Sequence, residues 1–313
     1  GCAEEPYNIN IFDLLVTNLL DSLTITDTFF LTTSILQPVT DLPWQLDTIC
    51  TPACLQTFEI CNNNLDDDGD GLFDCLDTEC SCTEDQCAPK QANIWYFGKN
   101  AGLDFNSGTP VAVTDGKMDT DEGCSSICDA AGKLLFYTDG IFVWNKNHQL
   151  MTNGSGLNGD PSSTQSSVLI QKPGSQGVYY IFTTNDGFKI DTLKPATIKN
   201  ELMYSEVDMA LNGGLGDITP GKKNILLHNL TCEKVTGVRH CNNTDVWVVS
   251  HDYGTDLFRS FLVTSAGVNV TQPKISKAGS KIDTGSNAFG GQLKAYMNGK
   301  KLAMANYDGR AFL

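Results

Sequence analysis

The chain has 313 residues, of which 41% are hydrophobic and only 19% are charged, and its formal net charge is −16. This acidic balance excludes the basic patches with which proteins bind nucleic acids or anionic membrane surfaces. The sequence has no apolar run long enough for a transmembrane helix. Its 29 glycines and few charged residues favour a turn-rich, all-β protein over a helical one.

The 12 cysteines are even in number, and several lie close together in sequence. This pattern predicts disulfides in an oxidising, extracellular compartment. The local pairs predicted are Cys61 with Cys75, Cys124 with Cys128, and Cys232 with Cys241. The others, which would form further disulfides of undetermined connectivity, are Cys2, Cys50, Cys54, Cys80, Cys82 and Cys87. Zinc is an alternative for the cysteines at 80–87.

Residues 1–49 are predicted to form an N-terminal β segment. Residues 9–11 and 23–26 alternate between apolar and polar side chains with a period of two, as in strands, whereas 14–20 could form a short helix. The segment is interpreted either as a small β domain or as strands that pack on a neighbouring subunit.

Residues 50–89 are predicted to form a Cys-rich calcium-binding module. Oxygen donors follow the spacing of a Ca²⁺ loop, and Gly71 stands where such a loop turns sharply. The predicted ligands are Asp66, Asp68, Asp70, the carbonyl of Leu72, Asp74 and Asp77. Because so short a segment cannot bury a core, Ca²⁺ and disulfides are expected to stabilise it, with Cys61 and Cys75 joining the ends of the loop.

Residues 90–313 repeat one pattern, in which a turn precedes an apolar run that ends in a polar residue and often Asp. Four such runs are centred near residues 136, 181, 248 and 303, and further strands are predicted at 141–144 and 257–263. Hairpins at this spacing predict the blades of a β-propeller, about four of them in this chain. Because an unclosed propeller would leave an open edge, we expect the chain to be part of a longer protein.

Polar and aromatic residues of this region have two interpretations each. The aspartates that follow the apolar runs are Asp139, Asp186, Asp252 and Asp308. They could form a ring that binds cations or sugars, but we favour hydrogen bonds to turn amides. The tryptophans Trp95, Trp144 and Trp247 are interpreted as blade core rather than as a sugar platform. His240 and His251 are interpreted as solvated loop residues rather than as catalytic or metal-binding groups.

Two stretches resemble a known family. Residues 61–75, Cys-Asn-Asn-Asn-Leu-Asp-Asp-Asp-Gly-Asp-Gly-Leu-Phe-Asp-Cys, resemble the aspartate-rich inserts of large secreted surface proteins of Bacteroidota, which are akin to the calcium repeats of thrombospondins. Residues 93–105 and 137–145 resemble the N-terminal propeller of the same proteins, which often use type 9 secretion and include gliding-associated proteins. Asn64 departs from the family pattern, which has Gly at this position.

The resemblance covers about residues 60–313 and implies a seven-bladed propeller on a bacterial cell surface. The Asp-Ser/Thr-apolar triplets at Ser22, Thr48 and Thr192 resemble the O-glycosylation signal of that phylum.

We therefore predict a secreted structural or adhesive protein without enzymatic activity, whose cofactor is Ca²⁺. Its predicted partners are cell-surface or matrix components, including glycans, and other copies of itself. The alternatives are a subunit of an extracellular filament assembled by strand exchange and a propeller-type enzyme that acts on glycans. No GxSxG or HExxH motif supports the enzyme.

Overall fold

A computed structural model describes residues 90–185, 200–279, 281–282, 289–296, 299, 301–307 and 311–312. Within these ranges the protein is all-β, with two short 3-10 turns at Lys90–Ala92 and Asn212–Gly214. The strands form five antiparallel sheets, which we number in chain order. The predicted N-terminal segment 1–49 and calcium module 50–89 lie outside the described residues.

Each sheet uses a consecutive stretch of the chain. Sheet 1 contains β1 (Ile94–Phe97), β2 (Ala101–Asp104) and β3 (Val111–Val113). Sheet 2 contains β4 (Ser125–Cys128), β5 (Leu134–Thr138), β6 (Phe142–Asn145) and β7 (Leu150–Ser155). Sheet 3 contains β8 (Ser167–Gln171), β9 (Val178–Thr184), β10 (Glu201–Asp208), β11 (Asp217–Ile218) and β12 (Ile225–Asn229). Sheet 4 contains β13 (Thr231–Arg239), β14 (Val246–Asp252), β15 (Leu257–Thr264), β16 (Gly267–Val268) and β17 (Lys274–Lys277). Sheet 5 contains β18 (Gly291–Ala295), β19 (Leu302–Asn306) and β20 (Ala311–Phe312).

The sheets share one topology, in which up to four strands pair in chain order. The fifth strands of sheets 3 and 4 depart from this order, because β12 pairs with β10 and β17 pairs with β15. The four predicted apolar runs are β5, β9, β14 and β19, the second strands of sheets 2 to 5, and the two further strands predicted are β6 and β15. The described residues contain a further sheet beyond the four apolar runs, since the short strands of sheet 1 carry no long apolar run.

Four hydrophobic cores separate the five sheets, one between each pair that is consecutive in the chain. The second strands explain why. Along β9, Tyr179 and Ile181 contribute to the core with sheet 2, whereas Tyr180 and Phe182 contribute to the core with sheet 4. Since successive side chains of a strand point to opposite faces, a strand that is apolar at every position needs a neighbour on each side.

A close approach between sheets 2 and 3 involves the turn that joins β5 to β6. Gly140 has a φ of +88°, and a Cβ at this position would meet Ser166, which precedes β8. The Oγ of Ser166 donates to the carbonyl of Asp139 at 2.6 Å. The Oδ1 of Asp139 accepts the amides of Ile141 and Phe142 at 2.8 and 2.7 Å. Asp139 therefore forms the hydrogen bonds to turn amides that we favoured. The turn also fixes the start of β8 through Ser166.

Candidate functional site

The first strands of the five sheets lie next to one another in chain order. Contacts join β1 to β4, β4 to β8, β8 to β13 and β13 to β18. The Oγ of Ser126 accepts the amide of Tyr96 at 2.9 Å, and the Oγ of Ser125 donates to the carbonyl of Ser167 at 2.9 Å. The first strands therefore build a common wall, and this wall is the candidate site.

The side chain of Gln165 joins three sheets in this wall. Its Oε1 accepts the amide of Val235 in sheet 4 at 3.3 Å and the amide of Leu293 in sheet 5 at 2.7 Å. Its Nε2 donates to the carbonyl of Leu293 at 3.3 Å. Because Gln165 lies just before β8 of sheet 3, one amide group fixes the relative positions of sheets 3, 4 and 5.

Two buried charged groups stabilise the same junction. Glu233 is 2% exposed, and its Oε2 accepts the amide and the hydroxyl of Thr164 at 2.8 and 3.0 Å. The fully buried Lys234 donates from Nζ to the carbonyls of Phe289 and Gly290 at 2.8 and 2.7 Å. Each charged group thus has hydrogen-bond partners in an adjacent loop, which is the condition for burying it at acceptable cost.

Two adjoining cavities open along the wall. The polar cleft has a volume of about 260 Å³ and is lined by Glu122, Gly123, Cys124, Thr164, Gln165, Ser167 and Gln292. The aromatic cleft has a volume of about 440 Å³ and is lined by Gln91, Ala92, Trp95, Tyr96, Phe97, Cys124, Ser125, Ser126, Ile127 and Leu169. Cys124 belongs to both linings, so the two clefts are neighbours.

Three aromatic residues of β1 line the aromatic cleft, namely Trp95, Tyr96 and Phe97. Tyr96 is buried between sheets 1 and 2, whereas Trp95 and Phe97, on the other face of the strand, are 49% and 38% exposed. The Nε1 of Trp95 donates to the carbonyl of Ala92 at 2.6 Å, and its ring lies 5.0 Å from that of Phe105. These contacts fix the orientation of the indole while leaving about half of it open to a ligand.

The three tryptophans differ in their surroundings. Trp247 is 8% exposed in the core between sheets 4 and 5, as predicted, and Trp144 packs against the core between sheets 1 and 2. The prediction of a blade-core position was wrong for Trp95. The run from Ile94 to Phe97 looks apolar throughout, and nothing in the sequence shows that one face of β1 borders a cleft.

The cleft linings are poor in ionisable side chains. Among the described residues that line the two clefts, Glu122 is the one carboxylate, and neither lysine, arginine nor histidine occurs. Burial raises the pKa of the Cys124 thiol, which disfavours the thiolate that a nucleophile would need. The linings therefore offer aromatic faces, hydroxyl groups and amides.

His251 and Cys232 form a buried pair in the core between sheets 4 and 5. The Nδ1 of His251 lies 2.9 Å from the carbonyl of Asp252 and 3.9 Å from the Sγ of Cys232. Burial, together with the charge of Lys234, lowers the pKa of His251 to about 4, and burial raises the pKa of Cys232 to about 12. Both groups are neutral at pH 7, so the pair is not an activated nucleophile.

The interpretation of His251 as a solvated loop residue was therefore wrong, since it is fully buried. The expected turn chemistry is also incomplete for Asp252. Both oxygens of its carboxylate accept a hydrogen bond from the Nε of Arg259, each at 3.0 Å. One of these oxygens also lies 3.1 Å from the Nε2 of His228. Asp252 thus connects sheet 4 to β12 of sheet 3. Asp186 and Asp308 lie outside the described residues.

A polar cluster also joins sheets 1 and 2. The carboxylate of Asp115 accepts the Tyr96 hydroxyl at 2.8 Å on one oxygen and lies 3.2 Å from the Nε2 of His148 on the other. The hydroxyl of Tyr137 accepts the amide of Lys117 at 3.0 Å and lies 3.3 Å from the Nδ1 of His148. The stacked rings of Tyr96 and Tyr137, 4.6 Å apart, place these groups together.

Two predicted disulfides are not formed. Cys124, Cys128 and Cys232 are free thiols, while Cys241 is disulfide-bonded to none of these three. Cys124 and Cys128 stand at the two ends of an extended stretch, so their Cα atoms lie about 13 Å apart, well beyond disulfide range. The length of β13 separates Cys232 from Cys241 even further. Closeness in sequence misled the prediction because the intervening residues are extended.

The other predicted site residues lie outside the described residues. These are the calcium ligands Asp66, Asp68, Asp70, Leu72, Asp74 and Asp77, the cysteines Cys61 and Cys75, and the glycosylation candidates Ser22, Thr48 and Thr192. In the described part of the chain, no group of three or more acidic, histidine or cysteine side chains could hold a metal ion. The same part contains no helix of the length and hydropathy needed to cross a membrane.

Neither a protein-family model, nor a curated protein, nor a solved structure matches this chain. The described part of the chain is an all-β protein of consecutive antiparallel sheets.

Replacing Gln165 with Leu should lower the free energy of unfolding by about 2–4 kcal/mol, because the buried amides of Val235 and Leu293 lose their acceptor. Urea denaturation measures the change. The matched control is Gln292→Leu, since Gln292 is exposed and makes a single 3.2 Å bond to Thr164, and it should cost less than about 1 kcal/mol. Equal losses in the two variants would show that Gln165 does not hold the sheets together.

Acid should destabilise the protein through His251. The unfolded chain takes up a proton near pH 6.5, whereas the folded pKa is about 4, so the free energy of unfolding should fall by up to about 3 kcal/mol as the pH decreases through this window. Urea denaturation between pH 4 and pH 7 should show a shallower slope for His251→Phe. The control Phe258→Leu alters the ring that packs on His251 at 4.5 Å and should keep the slope. An unchanged slope in His251→Phe would contradict the assignment.

Proposed function

We propose that this protein is a secreted, non-catalytic adhesive or structural protein of a bacterial cell surface, and that its five sheets are consecutive blades of a β-propeller. The observation that carries the proposal is the order of contacts among the first strands, β1, β4, β8, β13 and β18. In a propeller, blades of antiparallel strands repeat around a central channel, and one strand of each blade borders it. The single core between each pair of consecutive sheets supports the same arrangement.

The binding role rests on the chemistry of the two clefts. They are concave, they combine exposed aromatic rings with hydroxyl and amide groups, and they contain one carboxylate. Such a surface suits recognition, because aromatic rings supply contact area and a few polar groups fix orientation. The resemblance of residues 61–75 and 93–105 to secreted proteins of Bacteroidota supports placing this recognition at a cell surface.

The calcium module is proposed to be a permanent structural joint. The six aspartates within residues 66–77 would repel one another strongly without a cation among them. A Ca²⁺ ion bound to their oxygens, with Cys61 and Cys75 joining the ends of the loop, would make this segment rigid. The joint would hold residues 1–49 and the propeller together without taking part in recognition.

Chelation of calcium should loosen residues 55–80. If Ca²⁺ is present at about 100 times its dissociation constant, it contributes about 2.7 kcal/mol, and its removal should accelerate proteolysis of this segment about a hundredfold. Limited proteolysis with mass spectrometry measures the cleavage rate with and without EGTA. Asp70→Asn should mimic the chelator, whereas the exposed Asp121→Asn should not. Cleavage and melting that are indifferent to EGTA would contradict the joint.

Adhesion should be saturable and should depend on the aromatic cleft. We expect the fluorescently labelled chain to bind envelope fragments of Bacteroidota cells in a sedimentation assay, and the Trp95→Ala variant to bind about tenfold more weakly. Sugars released into the supernatant are measured in the same tubes. Release that grows with time would indicate the glycan-active enzyme instead, and the absence of saturable binding would contradict the adhesive role.

A further inference from the structure

We propose that the aromatic cleft binds a neutral saccharide, with a pyranose ring stacked on Trp95 and a neighbouring part of the same saccharide against Phe97. This inference deepens the proposed adhesive function and rests on it. The two side chains are exposed on the same face of β1, and residues two apart along a strand lie about 6.6 Å apart. One saccharide chain can therefore contact both rings.

The stacking surface is pre-formed. The bond from Trp95 to the carbonyl of Ala92 and the contact of its ring with Phe105 hold the indole in place before any ligand arrives. Little conformational entropy is then lost on binding, which favours affinity. A pyranose ring suits such a site because one of its faces consists mainly of C–H groups, whereas its hydroxyl groups project around its edge.

A hydroxyl group stands beside the aromatic rings. Ser126 lines the cleft, and its Oγ accepts the amide of Tyr96, so it keeps its own proton to donate. The cleft thus offers a hydrogen-bond donor to a saccharide that stacks on these rings.

The charges select a neutral ligand over an anionic one. The described residues that line the two clefts include no lysine, arginine or histidine that could pair with a uronate or a sulfate. The net charge of −16 acts in the same direction over longer distances. An acidic polysaccharide would therefore lose its counterions and hydration without gaining a partner, while a neutral saccharide meets no such penalty.

A glycan array that carries neutral and acidic oligosaccharides tests the proposal with the full-length chain. We expect binding to neutral glycans, and calorimetry with the neutral oligosaccharide that gives the strongest signal should show a loss of about tenfold or more for Trp95→Ala. The matched control is Phe142→Ala, since Phe142 is exposed to the same 38% as Phe97 but lies outside the clefts, and its affinity should be unchanged. Phe97→Ala should weaken binding, whereas Trp95→Phe, which keeps a ring, should bind better than Trp95→Ala.

The outcomes separate this inference from the adhesive function. Binding to acidic glycans alone, or equal affinity of the native chain and Trp95→Ala, would overturn the saccharide site. If no glycan binds while the chain still adheres to envelope fragments, the saccharide site is wrong and the adhesive function stands. If adhesion is absent as well, both proposals fail. A melting curve for each variant shows whether it is folded. If Trp95→Ala does not fold, the affinities of Phe97→Ala and Trp95→Phe test the saccharide site instead.

Discussion

A β-sheet that is apolar on both faces must be covered on both sides, and this requirement organises the described part of the chain. Sheets 2, 3 and 4 each contribute side chains to two cores. Strands β9 and β14 are buried at six consecutive positions, which is possible only when both neighbours are present. Each sheet therefore depends on the next for its stability, and face-to-face stacking in chain order follows.

The stacking brings the first strands together, and their junction combines rigidity with an open surface. Polar side chains at this junction form hydrogen bonds with a neighbouring sheet or with the loop that leads into it, as Gln165, Glu233 and Lys234 do. These buried hydrogen bonds therefore also position the sheets. Beside them, Trp95 and Phe97 line the aromatic cleft and remain partly exposed. A rigid wall that presents aromatic rings is well suited to recognition and needs no moving part.

Cys232 and His251, which lie outside the clefts, are part of the packing. Burial keeps Cys232 protonated and His251 neutral at pH 7, so the pair fills the core without creating a reactive group. Asp252, in contrast, contributes to the packing through charged contacts. Its ion pair with Arg259 within sheet 4 offsets the cost of burying the carboxylate, and its contact with His228 connects sheet 4 to sheet 3.

Features that depend on neighbours in sequence could be predicted, because the chain itself places the interacting groups. The apolar runs of β5, β9, β14 and β19 and the turn bonds of Asp139 belong to this class, and the spacing of the aspartates in 66–77 is a prediction of the same kind. The site could not be predicted. Gln165 meets Leu293 across 128 residues and Thr164 meets Glu233 across 69, and neither pair carries a motif. The stacking of sheets decided which face of β1 stays open and kept Cys124 and Cys128 apart, since burial and distance depend on elements remote in the chain.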